Sequence, residues 1–158
     1  MSNDTQNLFD LTGKVAVVTG GAGILCAGLC RDLAASGAKI VVLDLNAAAA
    51  ESLATEINQN GGEAIGLACN VLDKQSIESA AAAVMANFGA VDILINGAGG
   101  NKPQASTNPQ QSFFDLPADA LRWVFDLNLM GTVLPSQVFG RIMAEHKEGI
   151  ILNIASMN

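Results

Sequence analysis

The chain has 158 residues, 50% of them hydrophobic and 15% charged, a composition that builds a packed core and lies far from that of a disordered chain. A formal net charge of −7, with eight Lys and Arg scattered rather than striped, leaves no electrostatic footprint for nucleic acid or an anionic membrane. The polar start, MSNDTQNLFDLTGK, has no apolar targeting core, and three cysteines without a secretory leader fit a reducing compartment, so one cytoplasmic domain over residues 1–158 is expected.

Lys14–Thr19 (KVAVVT) is a continuous apolar, β-branched run, as a strand buried on both faces requires. A glycine cluster leads into a helix over Leu25–Ser36, with Leu25, Leu29 and Leu33 on one face and Gly37 as its stop. Lys39–Asp44 is a second buried strand, Ala47–Asn60 a helix ended by Gly61-Gly62, and Glu63–Cys69 a third strand. Asp73–Asn87 is an alanine-rich helix and Val91–Asn96 a fourth strand. Residues 100–116 are polar and rich in Gln, Asn and Pro, and an irregular loop of that length is more often functional than accidental. From Pro117 to about His146 the pattern reads as one long helix, in which Pro135 cannot donate to the carbonyl of Gly131, so a kink is expected there. Gly149–Ser156 is a fifth strand, expected as an exposed apolar edge. This alternation predicts an α/β fold, a Rossmann-type doubly wound parallel sheet of strand order 3-2-1-4-5 with right-handed crossovers.

Two features point to a ligand. The turn Thr19–Cys26 (TGGAGILC) joins the first strand to the first helix, where glycines let the backbone approach a pyrophosphate at a helix N-terminus. Asp44 ends the second strand, where a carboxylate can accept hydrogen bonds from the ribose hydroxyls of an adenosine and would repel a 2′-phosphate. Neither Gly21 nor Leu45 supplies a cation to offset that repulsion, which favours NAD over NADP. Each feature has a plain structural alternative: glycines serve ordinary buried turns, and Asp44 or Asn46 could cap the following helix. Cys26 and Cys30, four apart on a helix with the single His146 distant, do not have zinc-site spacing, and no metal is expected.

Taken in order, Thr19-Gly20, Asp44, Asn70-Val71, Asn96-Gly97-Ala98-Gly99, Asn128 and Ser156 resemble the short-chain dehydrogenase/reductase family, from about residue 10 to the last residue. Within it, TGGAGILC, NGAGGNKP and ASMN look most like a subgroup of D-mannonate oxidoreductase-like proteins. The resemblance implies NAD bound by Gly20, Gly23, Ile24, Leu25, Asp44, Leu45, Asn70, Val71, Asn96, Gly97 and Ala98. It also implies hydride transfer between nicotinamide and a polar alcohol or ketone, sugar acids included, and a homo-oligomer, dimer or tetramer, in the full-length form. Ser156 would hydrogen-bond the substrate oxygen, and Asn128 would hold a water in the proton relay.

Departures from the family pattern carry expectations of their own. Ile24 and Cys26 stand at its second and third glycine positions. A β-branched Ile does not readily take positive φ, so the loop is expected to be reshaped through Gly21 and Gly23, and Cys26 to widen the helix–strand contact. Asn70 replaces an Asp and keeps a neutral acceptor for the adenine amino group. The family's Tyr-x-x-x-Lys, which carries the proton transfer, is absent, and the chain has no tyrosine. The 158 residues are therefore expected to be the N-terminal portion of such an enzyme, without turnover alone. The rival readings are a non-catalytic dinucleotide-binding module and a methyltransferase. Asn96-Gly97-Ala98-Gly99, Asn128 and Ser156 argue against the latter.

Overall fold

The computed structural model describes residues 9–155. Within them the elements run β1 (Val15–Thr19), α1 (Ile24–Ala35), β2 (Lys39–Asp44), α2 (Ala47–Gln59), β3 (Glu63–Ala68), α3 (Lys74–Phe88) and β4 (Ile93–Asn96). A loop with two short 3₁₀ turns follows, then α4 (Ala118–Phe125), a π-helical turn (Asp126–Met130), α5 (Gly131–His146) and β5 (Ile150–Asn153). The five strands are parallel and ordered β3-β2-β1-β4-β5, as the sequence predicts.

The apolar runs explain the layering. Along β1 every residue is buried: Ala16 and Val18 face one apolar layer, Val15 and Val17 the other. The first layer joins Ile40 and Val42 to Leu53 and Ile57 under α1 and α2. The second packs Val41, Leu43 and Leu94 against Ile77 and Val84 of α3 and Phe139 and Met143 of α5, with Phe139 fully buried. Two-sided burial is why these strands read as solid β-branched runs rather than as alternating ones. β5 closes one edge of the sheet, and Ile150, Ile151 and Leu152 stay 40–65% exposed.

Helix ends follow their local chemistry. Asn46 accepts from the Ala49 amide at 3.1 Å to start α2, and Asp73 accepts from Gln75 at 3.0 Å to start α3. α3 stops at Gly89 in the left-handed region. The helix predicted from Pro117 to His146 is present but interrupted. Its departure from α-geometry lies at Asp126–Met130, N-terminal to the Gly131 carbonyl that Pro135 leaves without a donor, and Pro135 itself is buried inside α5. A wider turn thus lies just upstream of the proline, and its side-chain bonds are described below. Among the described residues no helix is long and apolar enough to cross a membrane, and no cluster of His, Cys, Asp and Glu could hold a metal ion.

Candidate dinucleotide and substrate site

Parallel register sets Thr19 beside Leu43 and Asn96, and Asn96 beside Asn153. The carboxyl ends of β2, β1, β4 and β5 therefore finish at one level, and the turns after them share one edge, the place where open α/β sheets bind ligands. At that edge Gly20 has φ +61°, and a Cβ there would lie 2.8 Å from the Ala98 Cα. Both handedness and space require glycine. The Gly21 amide donates to Leu43 O and the Gly23 amide to Gly20 O, each at 3.0 Å, which folds the turn tightly over β2.

The left-handed residue is Gly20, so the turn is not reshaped through positive φ at Gly21 or Gly23. Ile24 occupies the first helical position of α1, where its branched side chain meets no conformational conflict. Gly23 begins that helix with no side-chain cap and no acid in the first turn. The positive end of the helix is left open to an anion. Ile24 is fully exposed, and Leu25 and Leu45 are 60% and 77% exposed, so apolar side chains line this edge.

Asp44 accepts from the Ala22 amide at 3.1 Å through Oδ2 and from the Asn46 amide at 2.9 Å through Oδ1. With Asn46 serving as the cap of α2, the Asp44 carboxylate belongs to the glycine turn. Asn70 is exposed; its Oδ1 accepts from Leu72 N at 3.0 Å, and its own amide donates to Ser76 Oγ. Val71 is buried, and a Cβ on Gly131 would lie 3.0 Å from it.

The turn after β4 is bound to the turn after β1. The buried Thr19 hydroxyl accepts from the Gly97 amide at 3.1 Å and from the Ala98 amide at 3.2 Å. Asn96, also buried, donates to Ser136 Oγ and to Asn153 Oδ1, each at 2.9 Å, and so joins β4 to α5 and β5. A Cβ on Gly97 would stand 2.2 Å from Cys26 Sγ, and Cys26 is only 4% exposed. Cys26 and Gly97 therefore exchange volume. The thiol fills the place that a side chain at residue 97 would take. Burial first, then the Asp44 charge, push the Cys26 thiol up from its ordinary pKa.

Asn128 lies in the π-helical turn and is exposed. Its Nδ2 donates to Gly100 O at 2.7 Å and to Val124 O at 2.8 Å, while its Oδ1 accepts from the Gly100 amide at 3.2 Å. The Val124 bond compensates an i→i−4 ladder loosened by the wider turn; the Gly100 pair pins the loop after β4 to the helix. The Asn128 carbonyl accepts from Thr132 Oγ1 at 3.1 Å. Further along the loop, Lys102 Nζ lies 4.2 Å from the centre of the Trp123 ring. Ser156 lies outside the described residues. Sequence reasoning passed over the Thr19 hydroxyl and Lys102. The signals were there: a polar residue ending an otherwise apolar strand, and a lone basic residue in a polar loop.

Residues 14–158 match the family model for short chain dehydrogenase. The chain belongs to the short-chain dehydrogenase family. It is 42% identical over 159 residues to an uncharacterized oxidoreductase of Haemophilus influenzae, a match covering 94% of this chain and 56% of that protein. It is 40% identical over 148 residues to D-threitol dehydrogenase of Mycolicibacterium smegmatis, covering 94% of this chain and 54% of that one. Among solved structures, a candidate D-mannonate oxidoreductase of Haemophilus influenza with bound NAD superposes with a TM-score of 0.89 at 40% identity, over 98% of this chain and 59% of that one. This short-chain dehydrogenase segment thus spans about half the length of the curated relatives it matches.

Proposed function

We propose that these 158 residues are the dinucleotide-binding part of an NAD-dependent oxidoreductase that moves a hydride between nicotinamide and a polar alcohol or ketone of sugar-acid type. The observation that carries the proposal is the cradle at Gly20, where a Cβ would fill the space against Ala98 beside the uncapped N-terminus of α1. The residues present fit a dinucleotide. Gly20, Gly23, Ile24 and Leu25 would hold the pyrophosphate at the positive end of α1. Asp44 would accept from the adenosine ribose hydroxyls, with Leu45, Asn70 and Val71 around the adenine, and its charge favours NAD over NADP. Asn96, Gly97 and Ala98 would pack the second ribose.

When bound, the nicotinamide supplies the hydride acceptor or donor. The chain's own residues orient and bind. Asn128 holds the Gly100 backbone, and so the loop after β4, at the carboxyl edge of the sheet. Ser156 would donate to the substrate oxygen. The segment contains no tyrosine for the proton transfer, so it is proposed to have no turnover alone. The full-length protein is proposed as a cytoplasmic homo-oligomer, which the free, buried Cys26, Cys30 and Cys69 and the apolar exposure of Trp123, Phe125 and Leu129 support.

Fluorescence titration of the chain with NADH, NADPH and S-adenosylmethionine tests the reading. NADH is expected to bind saturably and more tightly than NADPH, with no response to S-adenosylmethionine. Absence of NADH binding, or preference for S-adenosylmethionine, refutes it. Saturable NAD reduction by the segment with sugar acids refutes the proposed need for residues it lacks.

A further inference from the structure

The loop after β4 carries one basic residue between Gly97 and Leu116, and that residue is Lys102. Its backbone is held. Asn128 clamps Gly100 through an amide pair of 2.7 and 3.2 Å. Next along the chain, Asn101 Oδ1 accepts from the Lys102 amide at 2.8 Å, and Asn101 Nδ2 donates to Ser106 Oγ at 2.8 Å. The Ala105 amide donates to Lys102 O at 2.9 Å and closes the turn. The side chain is held too, with its ammonium 4.2 Å from the Trp123 ring centre. An aromatic face restrains an ammonium without neutralising it and leaves donors free on the far side.

Among the described residues four of the eight cations, Lys102, Arg122, Arg141 and Lys147, have no carboxylate partner, and of these Lys102 alone lies on the loop after β4. Lys14, Arg31, Lys39 and Lys74 each meet a carboxylate at 2.7–3.8 Å. Among the described residues Lys102 meets none, in a chain whose 15 acids outnumber its 8 Lys and Arg. Sheet order separates it from the adenosine end: Asp44 ends β2, and β1 lies between β2 and β4. Lys102 is therefore on the side of the edge left for the substrate.

We propose that Lys102 reads a carboxylate on the substrate, held for that task by Trp123 and Asn101. The assignment rests on the oxidoreductase reading above and makes it specific: the substrate is a polyhydroxy acid, not a neutral polyol. One ammonium in this loop matches a monoanion. A phosphate dianion calls for further cationic or amide donors. The proteins this chain resembles include one named for a neutral polyol, D-threitol, and one named for an acid, D-mannonate, and these two substrate chemistries differ in the charge that an ammonium at Lys102 would meet.

Trp123 is the only tryptophan in the chain and sits against the proposed site, so its emission reports directly. The 158-residue chain is titrated with D-gluconate, with threitol and with glucose 6-phosphate, each with and without saturating NAD. Gluconate is expected to change Trp123 emission saturably, threitol to leave it unchanged, and glucose 6-phosphate to act more weakly than gluconate. Lys102→Met, which keeps the apolar stem, is expected to weaken gluconate at least about tenfold, while Lys102→Arg keeps most of the affinity. Both variants should melt with the parent and bind NAD equally well. A gluconate response that survives Lys102→Met, an equal response to threitol, a stronger one to the phosphate, or none to gluconate overturns the assignment while NAD binding stands. Loss of NAD binding in the parent chain overturns the dinucleotide reading instead, and the gluconate arm without NAD still decides Lys102.

Discussion

Adding one methyl at residue 97 is the sharpest test of how the turns after β1 and β4 are packed. In Gly97→Ala the new carbon lies 2.2 Å from Cys26 Sγ and 3.0 Å from Thr19 O. Relaxed non-bonded separations are about 3.5–4.0 Å, so the thiol must move by more than an ångström. It cannot simply swing into solvent, because Cys26 is 4% exposed and is packed between α1 and the sheet. Overpacking of this kind costs about 1–3 kcal/mol, and the absence of an escape route places Gly97→Ala near the upper end. Cys26→Ala removes the clashing atom and leaves the Cys26 Cβ 3.8 Å from the added carbon, an ordinary contact. Alone it leaves a small void costing about 1 kcal/mol. The double variant should be more stable than the sum of the singles by about 1–2 kcal/mol. Urea unfolding followed by circular dichroism gives all four corners of the cycle. For a domain of this size each kcal/mol corresponds to roughly 2–4 °C in Tm, so Gly97→Ala alone should lower the melt by roughly 5–10 °C. A neutral Gly97→Ala, or a double variant no better than additive, would refute the volume exchange.

Gly20→Ala forces a side chain into the left-handed region and to within 2.8 Å of Ala98 Cα, so NADH affinity by fluorescence titration should fall at least about tenfold; unchanged affinity would show that the cradle is not the cofactor site. Asp44→Ala removes both the acceptor for Ala22 N and the charge that opposes a 2′-phosphate, and should narrow the NADH-over-NADPH preference; an unaltered ratio counts against Asp44 as the discriminating residue. Asn128→Ala releases Gly100 and should speed proteolysis within residues 100–116, with a stability loss of about 1 kcal/mol because the group is exposed; unchanged cleavage would contradict the clamp. Burial, with the neighbouring Cys26 second, pushes the Cys30 thiol up from 9.0 to about 12, and burial also pushes up Cys26 and Cys69. A folded pKa above the unfolded one gives stability that is full below pH 9 and is lost as pH rises toward 12. Urea stability should therefore fall across that window while the native thiols resist Ellman's reagent at pH 8; a rise in stability with pH, or fast native labelling, would refute it.

Much of the site's outline was legible in the chain. Asp44 at the end of an apolar run and Gly20 at the head of a turn are positions whose chemistry is local, and local chemistry survives into the fold. The misjudgements lie where one residue's fit depends on another far away in sequence. Ile24 looked like a conformational problem because the motif was read by position, whereas the structure puts it in an ordinary helical turn and leaves positive φ to Gly20. Cys26 taken alone gives no sign that its thiol occupies the space beside Gly97, 71 residues away in sequence. The π-helical turn upstream of Pro135, where Asn128 bonds both Gly100 and Val124, has no signal in the sequence pattern, because Gly100 lies 28 residues away.

By itself the sequence determined the class of fold and the order of its strands. Runs of branched residues between helical segments admit few arrangements that bury both faces of a sheet and keep crossovers right-handed. Only the tertiary structure decided which side chains share the carboxyl edge of the sheet. Thr19 joining Gly97 and Ala98, Cys26 occupying the space at Gly97, and Lys102 resting on Trp123 are contacts between residues far apart along the chain. Such pairs are set by close packing and hydrogen-bond satisfaction in three dimensions, which leave no periodic trace in one.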